Sequence, residues 1–413
     1  MRKSLCHVLV FLLLFMAGST EIYAVSSDQI PGWPEAPKIV ETTGVLIEDS
    51  TGTVLYDKKM HQHMYPASTT KVLSALIAIE NCDLSEEVVF TETGTAEVTP
   101  DSANIGMQMG EVLTMEQCLY AMLLASANEV SSQVAEHVAG SVEKFAEMMN
   151  QKAAELGCTD SHFANANGWH DDDHYTSAYD MALILRAAIK NETFCKISGS
   201  TSYEIPPTNM NGEARQLGNH HAMLMPGPYH YKGVFAGKTG STDQAGNTLV
   251  TACKKKDITL ICMVMQSQEA AVVDDTAKLF DYGYGKFQKL QMTDPEQTQE
   301  GGYAYVPADA TAEDIESQDT PQGDLIASQY LYQGIPVGTA LAAATASVSD
   351  PEAASGELAP TQGISEEDES SLLDVRPVAE GQKKVYYAII GVLSFLILLC
   401  LFLIIKMVRK DKG

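Results

Sequence analysis

The chain has 413 residues, of which 27 are lysine or arginine and 54 are aspartate or glutamate, so its formal net charge at neutral pH is −27. A surface this acidic repels polyanions, which argues against nucleic acid as a partner. The length is sufficient for two domains and for a large hydrophobic core.

The first 24 residues have the pattern of a secretory signal peptide. A basic start is followed by an apolar run from Leu9 to Ala17, and the segment ends in Ile22, Tyr23 and Ala24. This order of regions predicts a signal peptide at residues 1–24 that is cleaved after Ala24. The alternative, a membrane-spanning anchor, requires a longer apolar run.

The other end of the chain predicts a membrane anchor. Residues 385–405 form a stretch of 21 positions without a charged side chain, which is long enough to cross a bilayer as a transmembrane helix. More basic residues follow this span than precede it, so residues 406–413 are predicted to form a cytoplasmic tail. Residues 349–384 are acidic and rich in Ser, Ala, Pro and Gly, which predicts a disordered linker. We therefore expect a single-pass cell-membrane protein whose main part is extracellular.

Six of the eight cysteines lie between the two terminal segments, at wide spacing: Cys82, Cys118, Cys158, Cys195, Cys253 and Cys262. An even number outside the cell permits disulfides, but a large domain does not require them. The spacing favours scattered buried thiols. The sequence contains no Cys-x-x-Cys pair of the kind that binds a metal.

The segment from Pro66 to Glu80, PASTTKVLSALIAIE, follows a predicted β-hairpin with its turn at residues 49–52. Its apolar residues recur with helical spacing and Pro66 favours a helix start, so Ser68 is expected in or just before the first turn. Residues three apart share a helix face, which brings the Lys71 amine to the Ser68 hydroxyl. This arrangement suits an acyl-transfer nucleophile. Taken alone, the pattern is more typical of an N-cap serine and a solvated lysine.

Helices are next predicted at residues 114–125, 130–138 and 142–156. Ser126 and Asn128 lie two positions apart between the first two of these helices, where both side chains can point toward one cleft. Small polar residues at such a place are more often caps or connectors, so this pattern by itself decides nothing.

The segment from His162 to Ile189 begins as a loop and continues from Ala178 as an amphipathic helix. It contains three histidines and three consecutive aspartates, His162, His170, His174, Asp171, Asp172 and Asp173. Consecutive carboxylates do not all face one ion, so we predict solvated loop residues here and no metal site.

Three further strands are predicted, at residues 234–241, 248–253 and 258–265. The first of them carries Lys238, Thr239 and Gly240. A glycine inside a strand often marks the close approach of a ligand or another backbone, and its two neighbours supply a cation and a hydroxyl. By itself the triplet is more typical of a solvated lysine at a strand end near a turn glycine.

Together these motifs form an ordered set. The patterns Ser-x-x-Lys, Ser-x-Asn and Lys-Thr-Gly occur in the order typical of penicillin-recognising serine enzymes. Over about residues 35–285, including the stretch HFANANGWHDDDHYTSAYDMA, the chain resembles the low-molecular-mass penicillin-binding proteins, specifically the D-alanyl-D-alanine carboxypeptidases. The resemblance implies removal of the terminal D-alanine from peptidoglycan stem peptides, with β-lactam antibiotics as covalent inhibitors.

The resemblance also implies the roles of the catalytic residues. Ser68 attacks the carbonyl between the two D-alanines and becomes acylated, Lys71 takes the Ser68 proton, and Ser126 relays a proton to the leaving amine. No metal or other cofactor is implied.

The implied substrate-binding residues lie on two segments. Asn128 holds a substrate amide and fixes the catalytic lysine, whereas Lys238 and Thr239 bind the terminal carboxylate. Gly240 lets the substrate backbone lie along the strand. The backbone N–H of Ser241, together with that of the nucleophile, forms the oxyanion hole.

The implied fold is of the α/β (α+β) class, with a mostly antiparallel sheet of the β-lactamase/transpeptidase type, helices on both faces and a helical subdomain. The sequence agrees, because strands open and close residues 25–285, the predicted catalytic domain, and the first and last strands are expected to meet. The strand of Lys238 is expected at the edge of the cleft, beside Ser68. Residues 286–348 are predicted to be a reduced, partly disordered β-rich region with short strand-like pieces.

Two other functions stay open. A β-lactamase requires rapid attack of water on the acyl-enzyme, and the sequence assigns no separate carboxylate to activate that water. A wall-binding surface protein with a degenerate site is the second alternative, and the intact motifs argue against it.

Overall fold

The computed structural model of the protein describes residues 30–267, 271–296 and 298–343. Four predicted segments lie outside these residues: the signal peptide (1–24), the acidic linker (349–384), the transmembrane helix (385–405) and the basic tail (406–413). Within the described ranges, no helix has the combined length and apolar character that a bilayer crossing requires.

A five-stranded antiparallel sheet organises the first part of the fold, in the order β2-β1-β9-β8-β7. Its strands are β1 (Thr43–Glu48), β2 (Val54–Lys58), β7 (Val234–Thr242), β8 (Gly246–Lys255) and β9 (Ile258–Ser267). The predicted hairpin is present as β1 paired with β2. Strand β1 also pairs with β9, so the opening and closing strands meet as predicted. Strand β7 is left at the edge of the sheet.

Most helices lie between β2 and β7. They are α1 (Lys71–Asn81), α2 (Glu92–Thr95), α3 (Met115–Leu123), α4 (Asn128–Ala139), α5 (Val142–Glu155), α6 (Ala178–Ala188) and α7 (Glu192–Ser198), with α8 (Ala271–Lys286) following β9. Two small antiparallel sheets of two strands each lie among them, β3 (Glu87–Val89) with β4 (Val112–Thr114) and β5 (Ser202–Ile205) with β6 (Arg215–Gly218). The predicted helices are confirmed to within a few residues. Thr114 is the N-cap of helix α3 and forms a capping box with Gln117.

Strand β9 shows how the sheet separates two cores. Side chains alternate between the faces of a strand, and its buried residues do so here. Ile261, Met263 and Met265 pack with the helices between β2 and β7. Leu260, Cys262 and Val264 pack with Leu279 and Phe280 of α8 on the opposite face. The predicted sheet with helices on both faces is therefore confirmed.

A second five-stranded antiparallel sheet follows α8, in the order β10-β11-β14-β13-β12. Its strands are β10 (Phe287–Gln291), β11 (Thr298–Pro307), β12 (Ile315–Gln322), β13 (Leu325–Tyr332) and β14 (Ile335–Ala343). The prediction of only short strand-like pieces was wrong, because four of these strands have 8 to 10 residues. Strand β12 is exposed at most positions, so its sequence lacks apolar alternation, and pairing with β13 along eight residues defines it instead.

All six cysteines in the described part of the chain are free thiols. Cys118, Cys253 and Cys262 are buried, and the other three are partly buried. The interpretation as scattered thiols, with hydrophobic packing in place of disulfides, is therefore confirmed for these residues.

Candidate active site

Ser68 lies in a single 3-10 turn, Ala67–Thr70, directly before α1. Ala67 has a φ of +50°, a left-handed conformation that is unfavourable for a residue with a Cβ atom. The Thr69 hydroxyl donates to the carbonyl oxygen of Pro66 over 2.7 Å and closes the turn. The predicted position of Ser68, just before the first turn of the helix, is therefore confirmed.

The Lys71 amine is buried at the base of this turn. Its Nζ lies 3.1 Å from Ser68 Oγ and 2.6 Å from both Asn128 Oδ1 and the carbonyl oxygen of Asn167. Burial lowers the pKa of Lys71 well below its usual value, and the positive charge of Lys238 lowers it further. A neutral amine held on a serine hydroxyl can accept its proton, so the geometry suits Lys71 to the role of base.

A second lysine pairs with the second serine. Lys238 Nζ donates to Ser126 Oγ over 3.2 Å, and Ser126 has a φ of +60° at the connection into α4. Asn128, the first residue of α4, accepts from Lys71 and donates from Nδ2 to Ser102 Oγ over 3.1 Å. Burial lowers the pKa of Lys238 to about 7. Ser126 and Asn128 are thus held by hydrogen bonds to Lys238 and Lys71, and the shared cleft expected for their side chains stays a prediction.

Edge strand β7 passes directly beside the turn of Ser68. A Cβ atom on Gly240 would lie 2.9 Å from both the backbone nitrogen of Ser68 and the carbonyl oxygen of Pro66, so the close approach requires glycine. The Thr248 hydroxyl donates to the same carbonyl over 3.0 Å and fixes β8 to the turn. The prediction that this strand lies beside Ser68 is confirmed.

The eight residues predicted for the site fall into two groups. Side-chain hydrogen bonds connect the first group into two clusters, Ser68, Lys71 and Asn128 in one and Ser126 and Lys238 in the other. The second group lies on the adjoining part of β7 and consists of Thr239, Gly240 and Ser241. Their assigned roles, in carboxylate binding and in the oxyanion hole, stay predictions.

Two residues of the site escaped the motif analysis. Asn167 holds Lys71 through its backbone carbonyl, a contact that any residue type can make and that leaves no pattern in the sequence. The prediction of a solvated loop residue was wrong for His174, which is buried beneath the nucleophile's turn, where its Nε2 lies 2.9 Å from Thr70 Oγ1. Burial lowers the pKa of His174 to about 4, which favours the neutral ring. The only signal for either residue was its place in the stretch that carried the resemblance.

Metal-type donor atoms converge elsewhere. In the described ranges they do so at Cys82, Glu86 and His137, none of which belongs to the three motifs. His137 Nε2 lies 3.1 Å from Glu86 Oε2, so a hydrogen bond accounts for that contact.

We predict that Gly168 tolerates no side chain. Its φ is +86°, and a Cβ atom would lie 1.9 Å from the carbonyl oxygen of Ala67. Gly168→Ala is expected to lower the free energy of unfolding by about 2 kcal/mol or more, because backbone strain adds to a backbone clash. Thermal or denaturant unfolding measures this loss.

The matched control is Gly157→Ala. Gly157 has a φ of +85°, yet a Cβ atom there meets no other atom within 4 Å. That variant therefore carries the conformational cost without the clash, and its loss of stability should be smaller. Equal losses in the two variants contradict the packing argument.

The two serine–lysine pairs define the class of protein. One pair can activate a nucleophile, while the other pair can return a proton to a leaving group, and both border an edge strand on which a peptide can lie. A nucleophile with its base, a proton donor and a strand that can bind a peptide define a serine enzyme that transfers acyl groups.

Comparison with known proteins then identifies the family. The family model for D-alanyl-D-alanine carboxypeptidase matches residues 32–269, more than half of the chain, and the chain belongs to this family. The predicted family is thereby confirmed, and the expectation of a serine carboxypeptidase is supported.

Curated relatives agree with this assignment. The D-alanyl-D-alanine carboxypeptidase DacF of Bacillus subtilis is 30% identical over 259 residues, which cover 62% of this chain and 65% of the relative. The carboxypeptidase DacB2 of Mycobacterium tuberculosis is 31% identical over 248 residues, which cover 59% of this chain and 81% of the relative. The chain thus matches slightly less than two thirds of the length of DacF.

Solved structures show the same fold. The DD-transpeptidase of Streptomyces K15 superimposes with a TM-score of 0.57 at 26% identity, covering 61% of this chain and all of that one. Penicillin-binding protein 5 of Haemophilus influenzae superimposes with a TM-score of 0.64 at 21% identity, covering 75% of this chain and 98% of that one. The second match supports the fold alone.

Proposed function

We propose that this protein is a serine-type D-alanyl-D-alanine carboxypeptidase that removes the terminal D-alanine from peptidoglycan stem peptides. One observation carries the proposal: the buried Lys71 amine lies 3.1 Å from Ser68 Oγ, in a turn against which edge strand β7 packs. The family assignment and the names of the curated relatives support the same activity.

Acylation follows from the contacts of the two serines. Ser68 Oγ attacks the carbonyl carbon of the penultimate D-alanine while its proton passes to Lys71 Nζ. The peptide C–N bond then breaks, and the leaving nitrogen takes the proton of Ser126 Oγ, which Lys238 Nζ contacts. Protonated Lys71 replaces the proton on Ser126, so Lys71 is neutral again when D-alanine leaves. The products are free D-alanine and an ester of the shortened peptide on Ser68.

Deacylation returns the enzyme to its starting state. Water attacks the ester carbonyl while a proton passes to the neutral Lys71 amine, and the C–O bond to Ser68 breaks. Ser68 Oγ regains a proton, and the shortened stem peptide leaves with a new carboxyl terminus. No cofactor takes part in this scheme.

Substrate binding is assigned to β7 and to the start of α4. A stem peptide that extends along the edge of β7 brings its terminal carboxylate to Lys238 and Thr239, while Asn128 holds a substrate amide. Gly240 lets β7 lie directly against the turn of Ser68, because a Cβ atom there would meet Pro66 and Ser68, and a substrate on β7 is thereby brought beside the nucleophile. The backbone N–H groups of Ser68 and Ser241 would receive the developing oxyanion.

The same chemistry makes β-lactam antibiotics covalent inhibitors. Attack by Ser68 Oγ on the lactam carbonyl opens the ring, but the nitrogen stays attached to the acyl group and does not leave. A lasting ester on Ser68 is therefore expected.

We also propose that the enzyme acts outside the cell while anchored in the membrane. The basic start and apolar run of residues 1–24, and the 21 uncharged residues 385–405 with basic residues after them, support this arrangement. Fractionation of cells that express a chain without residues 385–413 tests it. Persistence of that shortened chain in the membrane fraction contradicts the anchor.

The carboxypeptidase proposal is tested with two peptides that differ only in the last residue, D-alanyl-D-alanine and D-alanyl-L-alanine. Incubation with the purified protein should release free alanine from the first peptide and little from the second, because the carboxylate must meet Lys238 while the scissile carbonyl meets Ser68. Absence of release from the D,D peptide contradicts the proposal.

A fluorescent penicillin distinguishes the alternatives in the same preparation. A lasting adduct together with D-alanine release supports the carboxypeptidase. Rapid, repeated hydrolysis of penicillin indicates a β-lactamase. Absence of both adduct and release indicates a non-catalytic wall-binding protein.

A further inference from the structure

A carboxylate that belongs to none of the three motifs is connected to the base. Glu97, just after α2, accepts a hydrogen bond from Ser132 Oγ of α4 at 2.7 Å and another from Asn167 Nδ2 at 2.7 Å. Asn167 Nδ2 also donates to Ser132 Oγ over 3.2 Å, which closes a triangle. The backbone carbonyl of Asn167 accepts from Lys71 Nζ, so the triangle ends on the catalytic amine.

The triangle of Glu97, Ser132 and Asn167 can fix the position of the Asn167 backbone carbonyl. Ser132 and Asn167 are 1% and 3% exposed, so water does not compete for the hydrogen bonds that they donate to Glu97. Asn167 also orders the loop beneath the nucleophile, because its Oδ1 accepts from the backbone nitrogen of Trp169 at 2.8 Å. Movement of Glu97 must therefore displace the carbonyl that holds Lys71.

Several charged groups from other elements also face Lys71. Lys238 on β7 opposes its protonation, whereas Glu97 and Glu129 favour protonation. Glu129 is buried in α4, and burial raises its pKa to about 7, so its charge is incomplete at neutral pH. His174 also faces the amine, and burial lowers its pKa to about 4, so its ring is neutral.

Glu97 is the remaining source of negative charge. Burial raises the pKa of Glu97 above its usual value, and the hydrogen bonds from Ser132 and Asn167 offset part of that rise because they favour the ionised carboxylate. The negative charge of Glu97 raises the pKa of Lys71, whereas the positive charge of Lys238 lowers it.

We propose that Glu97 is a positioning residue of this active site: through Asn167 it holds the Lys71 amine against Ser68, and its charge sets the pH range in which Lys71 acts as a base. The inference rests on the proposed function of Lys71. Glu97 touches neither Ser68 nor Lys71 in the described contacts and acts through the asparagine and through its field.

The test is the pH dependence of acylation, measured as the second-order rate of labelling by a fluorescent penicillin with the full-length protein. In Glu97→Gln the field that favours protonated Lys71 is lost, so the amine loses its proton at lower pH. The rising limb of the rate should therefore move to lower pH by about half a unit or more. The plateau rate should fall, because the hold on Asn167 is weakened.

Two variants serve as controls. Glu97→Asp keeps the charge, so it should keep the midpoint of the rising limb close to that of the wild type even if its plateau falls. Glu92→Gln removes a nearby exposed carboxylate of α2 and should leave the whole profile unchanged.

Three outcomes overturn the proposal. One is a Glu97→Gln profile that is scaled down equally at every pH with an unchanged midpoint, which is the result of a merely structural role. Another is a Glu97→Gln profile identical to that of the wild type. The third is a Glu97→Asp midpoint displaced as far as that of Glu97→Gln. If the wild-type protein itself does not react with penicillin, the proposed function fails. The three outcomes above concern only the Glu97 variants of a protein that does react.

Discussion

The Ser68→Ala variant is expected to lose both covalent labelling by penicillin and release of D-alanine. The ester that carries either acyl group forms on Ser68 Oγ, and removing the nucleophile of a serine enzyme typically costs about 10⁴-fold or more in rate. Ser68 is partly exposed in a turn whose other contacts do not involve its hydroxyl, so the fold should persist. Gel fluorescence and an assay of free D-alanine measure the two losses.

Ser85→Ala is a suitable control for this experiment. Ser85 is an exposed serine just before β3, outside the three motifs, and its substitution should change neither activity. Labelling of the Ser68→Ala protein at the rate of the wild type would assign the nucleophile to another residue.

The Lys71→Met variant is expected to react with penicillin about 10² to 10⁴ times more slowly than the wild type, the range that a general base typically contributes. Methionine keeps much of the apolar stem of lysine but has no amine to take the Ser68 proton. Because Lys71 is proposed as the titrating base, the wild-type rate should rise with pH as Lys71 loses its proton, and the variant should lack that rise. Rates measured across a pH series report both effects.

The variant also leaves two acceptors, Asn128 Oδ1 and the carbonyl of Asn167, without their lysine donor. Its thermal unfolding should therefore be recorded beside Lys152→Met, which removes a surface amine paired with Glu80. A well-folded Lys71→Met protein that is acylated as fast as the wild type contradicts the assignment of the base.

Much of the site was predictable because its side chains are of particular residue types at fixed spacings in the sequence. Helical spacing predicted the contact between Ser68 and Lys71, and a glycine within a strand predicted the close approach at Gly240. The order of the three motifs then predicted that these residues belong to one active site. The hairpin at β1 and β2 and the amphipathic helices were predictable for a similar reason, since one face of each is apolar.

The rest depends on contacts that have no local signature. Asn167 acts through its backbone carbonyl, and Glu97 reaches the site only because α2, α4 and the loop before Gly168 are packed together. Strand β12 was missed because most of its side chains face water, and it is defined by hydrogen bonds to β13. In each case the tertiary structure supplies the information, and residue type contributes little.

The most direct test of the central claim is to locate the acyl group after the full-length protein reacts with benzylpenicillin. Proteolytic digestion and mass spectrometry should find the intact mass of the antibiotic, which loses no leaving group on ring opening, attached to Ser68 in the peptide that contains PASTTK. An adduct on any other residue, or an unmodified Ser68 in protein that still releases D-alanine from the D,D peptide, would contradict it.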